Sequence, residues 1–298
     1  MPTPTMDLKA YLEHQRSRVD TALDHFLPPA DMLPATMHRA MRHSVFAGGK
    51  RLRPVLCVAA AEALGETGDE VLAPACALET LHTFTLIHDD LPCMDDDDLR
   101  RGKPTCHKVY GDAVAVLAGD ALQALSFQLV SDLPARKGYT PCDFVHALAI
   151  ASGSLNVVAG QVLDLEAEGR ELSYDELRAI HERKTASLLA CSLRFGAMAG
   201  GATADQLEAL VCFGRNLGLA FQVIDDILDT TQTSETLGKT AGKDESVGKA
   251  TYPAILGLEA SREEARELTS AAKAALTTFG ADASRLREIA DYMLNRDY

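Results

Sequence analysis

The sequence has no tryptophan and only 5% aromatic residues. Alternating apolar and polar runs, the mark of half-buried strands, are scarce. A sheet-based fold is therefore not indicated. Cysteines never stand at C-x-x-C spacing: Cys57, Cys76, Cys93, Cys106, Cys142, Cys191 and Cys212 are odd in number and widely spread. That speaks against a zinc site or a disulfide framework and leaves reduced thiols, most of them core fillers. An excess of positive charge is missing too. A net charge of −14 disfavours a nucleic-acid partner, which needs a basic surface. The opening Met1-Pro2-Thr3-Pro4-Thr5-Met6 has neither the apolar run of a secretion signal nor the arginines of a transit peptide. Cytoplasmic residence is the expectation. One uncharged run, Phe144 to Leu163, approaches the ~20 residues of a membrane span. His146, Ser152, Gly153, Ser154, Asn156, Gly160 and Gln161 interrupt it, so a buried core helix and no stable membrane insertion are expected.

What the sequence has is helical periodicity over 298 residues, of which 47% are hydrophobic. Apolar stripes predict helices over Leu8–Phe26, Leu33–Ala47, Pro54–Ala63, Ala73–Asp90, Ala113–Ser131, Cys142–Glu168, Tyr174–Arg183, Ala186–Ala199, Ala204–Thr230, Tyr252–Thr277 and Ala283–Asn295. Ser173-Tyr174-Asp175-Glu176 reads as a capping box, and Asp282-Ala283-Ser284 as a cap after a break at Gly280. Short connections between striped helices imply one all-α domain spanning 1–298, a large bundle. The exception is Thr231 to Lys249, a polar stretch of a length that inside a compact domain is usually functional or disordered, and its position just after an aspartate motif favours an active-site lid.

Charge is unevenly placed. Asp89 to Asp98 holds six aspartates in ten residues, following the apolar residues Leu81, Phe84 and Ile87. Pro92 should end the helix there and present Asp95 from the next turn. Carboxylates at this density repel one another unless a cation intervenes, and magnesium is typically held by one or two carboxylates plus phosphate oxygens. A second acidic site, Asp225-Asp226-Ile227-Leu228-Asp229, falls within a continuous helix. Asp225 and Asp229, four residues apart, share a face at ~3.6 residues per turn. Set among Phe221, Val223, Ile224, Ile227 and Leu228, uncompensated carboxylates are costly, and a metal cluster shared by the two sites removes the conflict. Taken alone, the first site also reads as a solvated acidic loop and the second as an amphipathic helix with a polar edge. Cations flank the first site. Gly48-Gly49-Lys50-Arg51-Leu52-Arg53-Pro54 is a glycine turn suited to phosphate, without P-loop spacing. Arg100-Arg101-Gly102-Lys103-Pro104-Thr105 follows the aspartates directly.

These segments, with Gly160-Gln161-Val162-Leu163-Asp164, Lys184-Thr185 and Phe221-Gln222, run in order between Phe46 and Leu258. Together they resemble the trans-type, head-to-tail polyprenyl diphosphate synthases, and closely the bacterial farnesyl diphosphate synthases. The resemblance implies a helical bundle of isoprenoid synthase type around a central substrate cavity. It implies that Asp89, Asp90 and Asp95 hold two magnesium ions, and that Asp225, with Asp226 and Asp229, holds a third. Arg100 would meet the allylic diphosphate, and Lys50, Arg53, His82 and Arg101 the isopentenyl diphosphate. Lys184, Thr185 and Gln222 would lie near the developing cation and the allylic diphosphate, while Lys239 and Lys249 would close over the phosphates. Phe84 and Thr85, just before the first motif, would form the floor that limits chain length, with the Phe84 ring stopping growth at farnesyl diphosphate. The family commonly forms homodimers, although no stripe in the sequence marks an interface. Cys93 is a departure, standing inside the first motif where a small residue such as alanine is expected. Geranyl and geranylgeranyl diphosphate synthases are the nearest alternatives. A terpene cyclase would not need Lys50, Arg53 and Arg101, and an inactive helical partner would typically have lost one aspartate motif.

Overall fold

The computed structural model describes residues 6–135, 138–231 and 250–295. Helices dominate: α1 (Leu8–Phe26), α2 (Ala35–Val45), α3 (Leu52–Glu62), α4 (Leu72–Asp89), α5 (Cys106–Tyr110), α6 (Asp112–Ser131), α7 (Pro141–Ser152), α8 (Val157–Ala167), α9 (Tyr174–His181), α10 (Ser187–Gly200), α11 (Ala204–Thr231), α12 (Tyr252–Leu256), α13 (Leu258–Ala275) and α14 (Ser284–Leu294). The fold is all-α. Among the described residues, one small sheet joins Leu99–Arg100 (β1) to Lys103–Pro104 (β2), strands too short for sequence periodicity to register. Arg101 and Gly102 form the turn, both at positive φ (54° and 73°), the backbone that a tight two-residue hairpin demands.

The core centres on α3, α4, α10 and α11. Helix α10 packs on α3 and α11, α4 on α6, and α11 on α13. Helix α3 buries a continuous run from Pro54 to Ala61, a helix apolar all round because neighbours surround it. Ser173 caps α9 in the expected box with Glu176.

Three expectations need correction. The stretch 142–168 is two helices, broken at Gly153, whose ψ of −167° cannot continue a helix. Nor is it uniformly buried: Phe144, Leu148 and Ala151 face the core, while Ile150, Leu155, Val158, Val162 and Leu165 are exposed. The stretch 252–277 is likewise divided, at Gly257 with φ 82°. Asp282 does not cap α14. It lies within the 3-10 turn Thr277–Ala283, and Ala283 occupies the cap with no side-chain bond. The break at Gly280 is present, and its chain geometry, not a side-chain acceptor, starts the helix.

Candidate active site

The first aspartate motif is built by the end of α4. The helix stops at Asp89, three residues before Pro92, and the chain folds back beneath its own terminus. The Asp95 N–H donates to the Asp89 carbonyl at 2.8 Å and the Asp97 N–H to the Asp90 carbonyl at 3.2 Å. Six carboxylates are thereby gathered around one helix end. Burial pushes Asp89 up to about 6; Asp95 and Asp90 add repulsion, while Lys184 and Arg100 oppose it. Asp90 is raised too, chiefly by burial, although the Arg100 guanidinium clamps it through Nε at 2.9 Å and also through Nη2. Carboxylates held above their usual range by burial and by each other fit a site made for a divalent cation. Among the described residues, the trio with ligand atoms converging within 4.8 Å is Asp96, Asp98 and His107, which the sequence reading did not single out. Asp98 there is also tied to Lys108 at 2.7 Å.

The second motif lies on α11, continuous through Thr231 as expected. Asp226 and Asp229 are buried and Asp225 is half-buried. Asp226 is engaged at both oxygens. Oδ1 accepts from Gln222 Nε2 at 3.0 Å, and Oδ2 accepts from the Tyr252 N–H at 3.0 Å. Gln222 in turn accepts at Oε1 from the Thr185 hydroxyl at 3.1 Å. A chain of hydrogen bonds therefore fixes the Gln222 amide between two residues of the predicted site.

Lys184 and Thr185 sit in a π-helical turn, Glu182–Ala186, between α9 and α10, a distortion that recurs at functional sites. Gly160 permits it: a β-carbon there would collide with the Lys184 backbone. Lys184 Nζ bonds Asp164 of α8 at 2.6 Å and also reaches Asp89 electrostatically. Asp164 thus joins the site as the partner that aims Lys184. The Gly160–Asp164 segment was its only sequence signal.

The basic side converges as well. Arg101, from the hairpin turn, donates to the Gly48 carbonyl and lies where a β-carbon on Gly49 would stand. Burial lowers Arg53 to about 10, with Arg101 adding repulsion and Asp225 opposing it. Its Nε is buried with no hydrogen-bond partner, a donor in want of an anion. His82 is driven well below its usual pKa by burial and by Arg53, Arg101 and Arg100, so it is neutral at pH 7. Lys50 is exposed. Lys239 and Lys249 lie outside the described residues.

Arg51 does something different. In the left-handed region (φ 51°), it turns inward and bonds Asp20 at 2.8 Å, Glu79 at 2.8 Å and the Val45 carbonyl at 2.7 Å. It organises the turn that carries Lys50 and Arg53.

Below Asp89, helical rotation separates the two floor residues. At ~100° per residue, Thr85 lies about 40° from Asp89 and His82 about 20°, whereas Phe84 lies about 140° around. Phe84 stacks edge-on against His88, centroids 4.8 Å apart. Thr85, small and back-bonded to the His82 carbonyl at 2.8 Å, is the residue in line.

Arg53, Arg101 and His82 thus gather near Arg100 at the first acidic motif, and Asp225 of the second motif reaches Arg53 electrostatically. A sequence model of the family described as Polyprenyl synthetase matches residues 34–292. The chain belongs to the polyprenyl synthetase family. It is a prenyltransferase. A chloroplastic geranylgeranyl pyrophosphate synthase of Capsicum annuum is 49% identical over 296 residues, 98% of this chain and 79% of that protein. The large subunit 1 of a heterodimeric geranylgeranyl pyrophosphate synthase of Arabidopsis thaliana is 47% identical, over 98% and 80%. Among solved structures, an apo FPP/GFPP synthase from Zymomonas mobilis superposes with a TM-score of 0.84 at 38% identity, covering 96% of this chain and 98% of that one. A Helicobacter pylori geranyltransferase complexed with magnesium and isoprenyl diphosphate gives 0.85 at 34% identity, covering 98% of each. The polyprenyl synthetase frame agrees with the all-α fold seen here.

Proposed function

We propose that this prenyltransferase condenses isopentenyl diphosphate with allylic diphosphates as far as geranylgeranyl diphosphate. The expectation of a farnesyl product gives way to its nearest alternative. The curated relatives at 47–49% identity are named as geranylgeranyl synthases, and the residue in line beneath Asp89 is the small Thr85 rather than the Phe84 ring. The identity to those relatives, over 98% of this chain, is the observation that carries the product length.

Asp89, Asp90 and Asp95, with Asp225, Asp226 and Asp229, would hold magnesium, three ions with substrate bound. Bound there, magnesium supplies positive charge against the leaving diphosphate. Arg100 neutralises the allylic diphosphate, while Arg53, Arg101, Lys50 and neutral His82 receive the isopentenyl diphosphate. Thr185 and the Gln222 carboxamide, held by Asp226, turn oxygen dipoles to the developing cation beside Lys184. The departing diphosphate is the base that takes the final proton, so the reaction needs no side-chain nucleophile. Purified protein with magnesium, labelled isopentenyl diphosphate and dimethylallyl or farnesyl diphosphate is expected to give a twenty-carbon product that vanishes with chelator. A fifteen-carbon end product would restore the farnesyl reading. Absence of condensation with any primer would remove the activity.

The chain is also proposed to be a cytoplasmic homodimer. Exposed Val158, Val162 and Leu165 of α8 fall within about 60° of one another and about 150° from Gly160 and Asp164, which face the site. Leu117 of α6 and Leu155 are exposed as well, and exposed apolar side chains in such number are what an interface would cover. Val162→Glu is expected to shift the wild-type dimer to monomer in sedimentation velocity. An unchanged dimer would place the interface elsewhere.

A further inference from the structure

The β1–β2 hairpin carries Arg100 and Arg101 to the basic side of the site, yet only two residue pairs join its strands, Leu99 with Pro104 and Arg100 with Lys103. A two-stranded hairpin is marginal in water by itself, so contacts from outside must hold it. The end of α2 supplies them. That helix stops at Val45, and a helix end releases carbonyls that have no partner along the helix. Phe46 and Gly48 lie just beyond it. Lys103 Nζ donates to the Phe46 carbonyl at 3.1 Å, and Arg101 Nη1 donates to the Gly48 carbonyl.

A third bond runs the other way. His43, in the last turn of α2, reaches the Pro104 carbonyl of β2 through Nε2 at 2.8 Å. A carbonyl oxygen can only accept, so Nε2 carries the hydrogen. Tyr110 of α5 steadies the same imidazole edge-on, with centroids 5.6 Å apart and 74° between planes, a favourable aromatic arrangement. His43, Phe46 and Gly48 therefore meet Pro104, Lys103 and Arg101 in reverse order, and the hairpin is fastened along the approach to the glycine turn. Of these fastenings, Arg101 is the group that a diphosphate would claim, whereas His43 has no part in the chemistry above. Resting on the reading of the basic cluster as the isopentenyl diphosphate site, we propose that His43 is a positioning residue for that substrate: its bond to Pro104 fixes the hairpin against the end of α2, and so sets where Arg101 stands relative to the turn that carries Lys50 and Arg53. Arg100 does not depend on this latch, because Asp90 at 2.9 Å and Asp97 at 3.5 Å hold it from the aspartate motif. The effect therefore falls on isopentenyl diphosphate and spares the allylic diphosphate.

Separate Michaelis constants for the two substrates test the latch. His43→Phe keeps a ring beside Tyr110 and removes the donor. It is expected to raise KM for isopentenyl diphosphate by about 2–10-fold, the factor that corresponds to one ordinary hydrogen bond, with kcat and KM for the allylic primer close to wild type. His43→Gln, whose amide N–H can take the place of Nε2–H, is expected to return KM most of the way. An unchanged KM for isopentenyl diphosphate in His43→Phe overturns the latch, and so does a rise that His43→Gln shares in full. A fall in kcat with equal changes in both Michaelis constants and a lower melting temperature would make His43 a merely structural residue. Those outcomes leave the wild-type synthase standing. A wild type whose rate shows no saturable dependence on isopentenyl diphosphate overturns the functional reading itself, and this proposal with it.

Discussion

Asp89→Asn is expected to lower kcat by on the order of 10²–10³-fold, the scale for losing one preorganised electrostatic group in a closed site. The same substitution should leave the metal-free protein as stable as wild type or more so. Burial and the neighbouring carboxylates hold Asp89 up at about 6 in the fold, against about 3.9 for an unfolded aspartate. Between those values the folded chain binds the proton more tightly than the unfolded one. The folded state therefore gains as pH falls from about 6 toward 3.9, and above that window the ionised carboxylate counts against folding. An amide removes that strain together with the metal ligand. Steady-state kinetics at saturating magnesium, paired with thermal melts in chelator at pH 7.5, check both halves. A variant with near-normal kcat would remove Asp89 from the metal site. A clearly destabilised metal-free variant would mean that the carboxylate is a structural partner.

Arg51→Met should cost about 3–5 kcal/mol of stability, the usual penalty for stranding one member of a buried ion pair. Glu79 is only 2% exposed and Arg51 4%, so neither can turn to water once its partner is gone. Arg51 also sits at positive φ, a backbone that its three bonds hold in place. The double variant Arg51→Met/Glu79→Met should regain a large part of the loss, because two apolar residues leave no buried charge. Denaturant midpoints for the single and double variants give the comparison. A single-variant loss below about 1 kcal/mol would put the pair in the range of exposed ion pairs and remove its structural weight.

The contrast between Arg51 and Arg53 shows how far sequence reading reaches. Both stand in one glycine turn, and residue type alone makes either a phosphate ligand. Arg53 keeps an unpartnered Nε beside Arg101, whereas Arg51 turns inward to Glu79, which lies 28 residues further on in the sequence. That choice depends on where α4 passes, which no local pattern encodes. Gly153 and Gly257 teach a similar lesson. Helical periodicity ran through both, because an isolated glycine weakens a helix without announcing a break.

By itself the sequence determined the helical class, the two aspartate motifs and the basic segments that face them. Those features are written in residue type and in spacing along single helices, where 3.6 residues per turn is enough geometry. Tertiary structure decided the rest: that Asp164 aims Lys184, and that Asp226 holds Gln222 against Thr185. Each of these depends on how one helix is set against another, and the close approach at Gly160 that allows the first is a contact between segments distant in the chain.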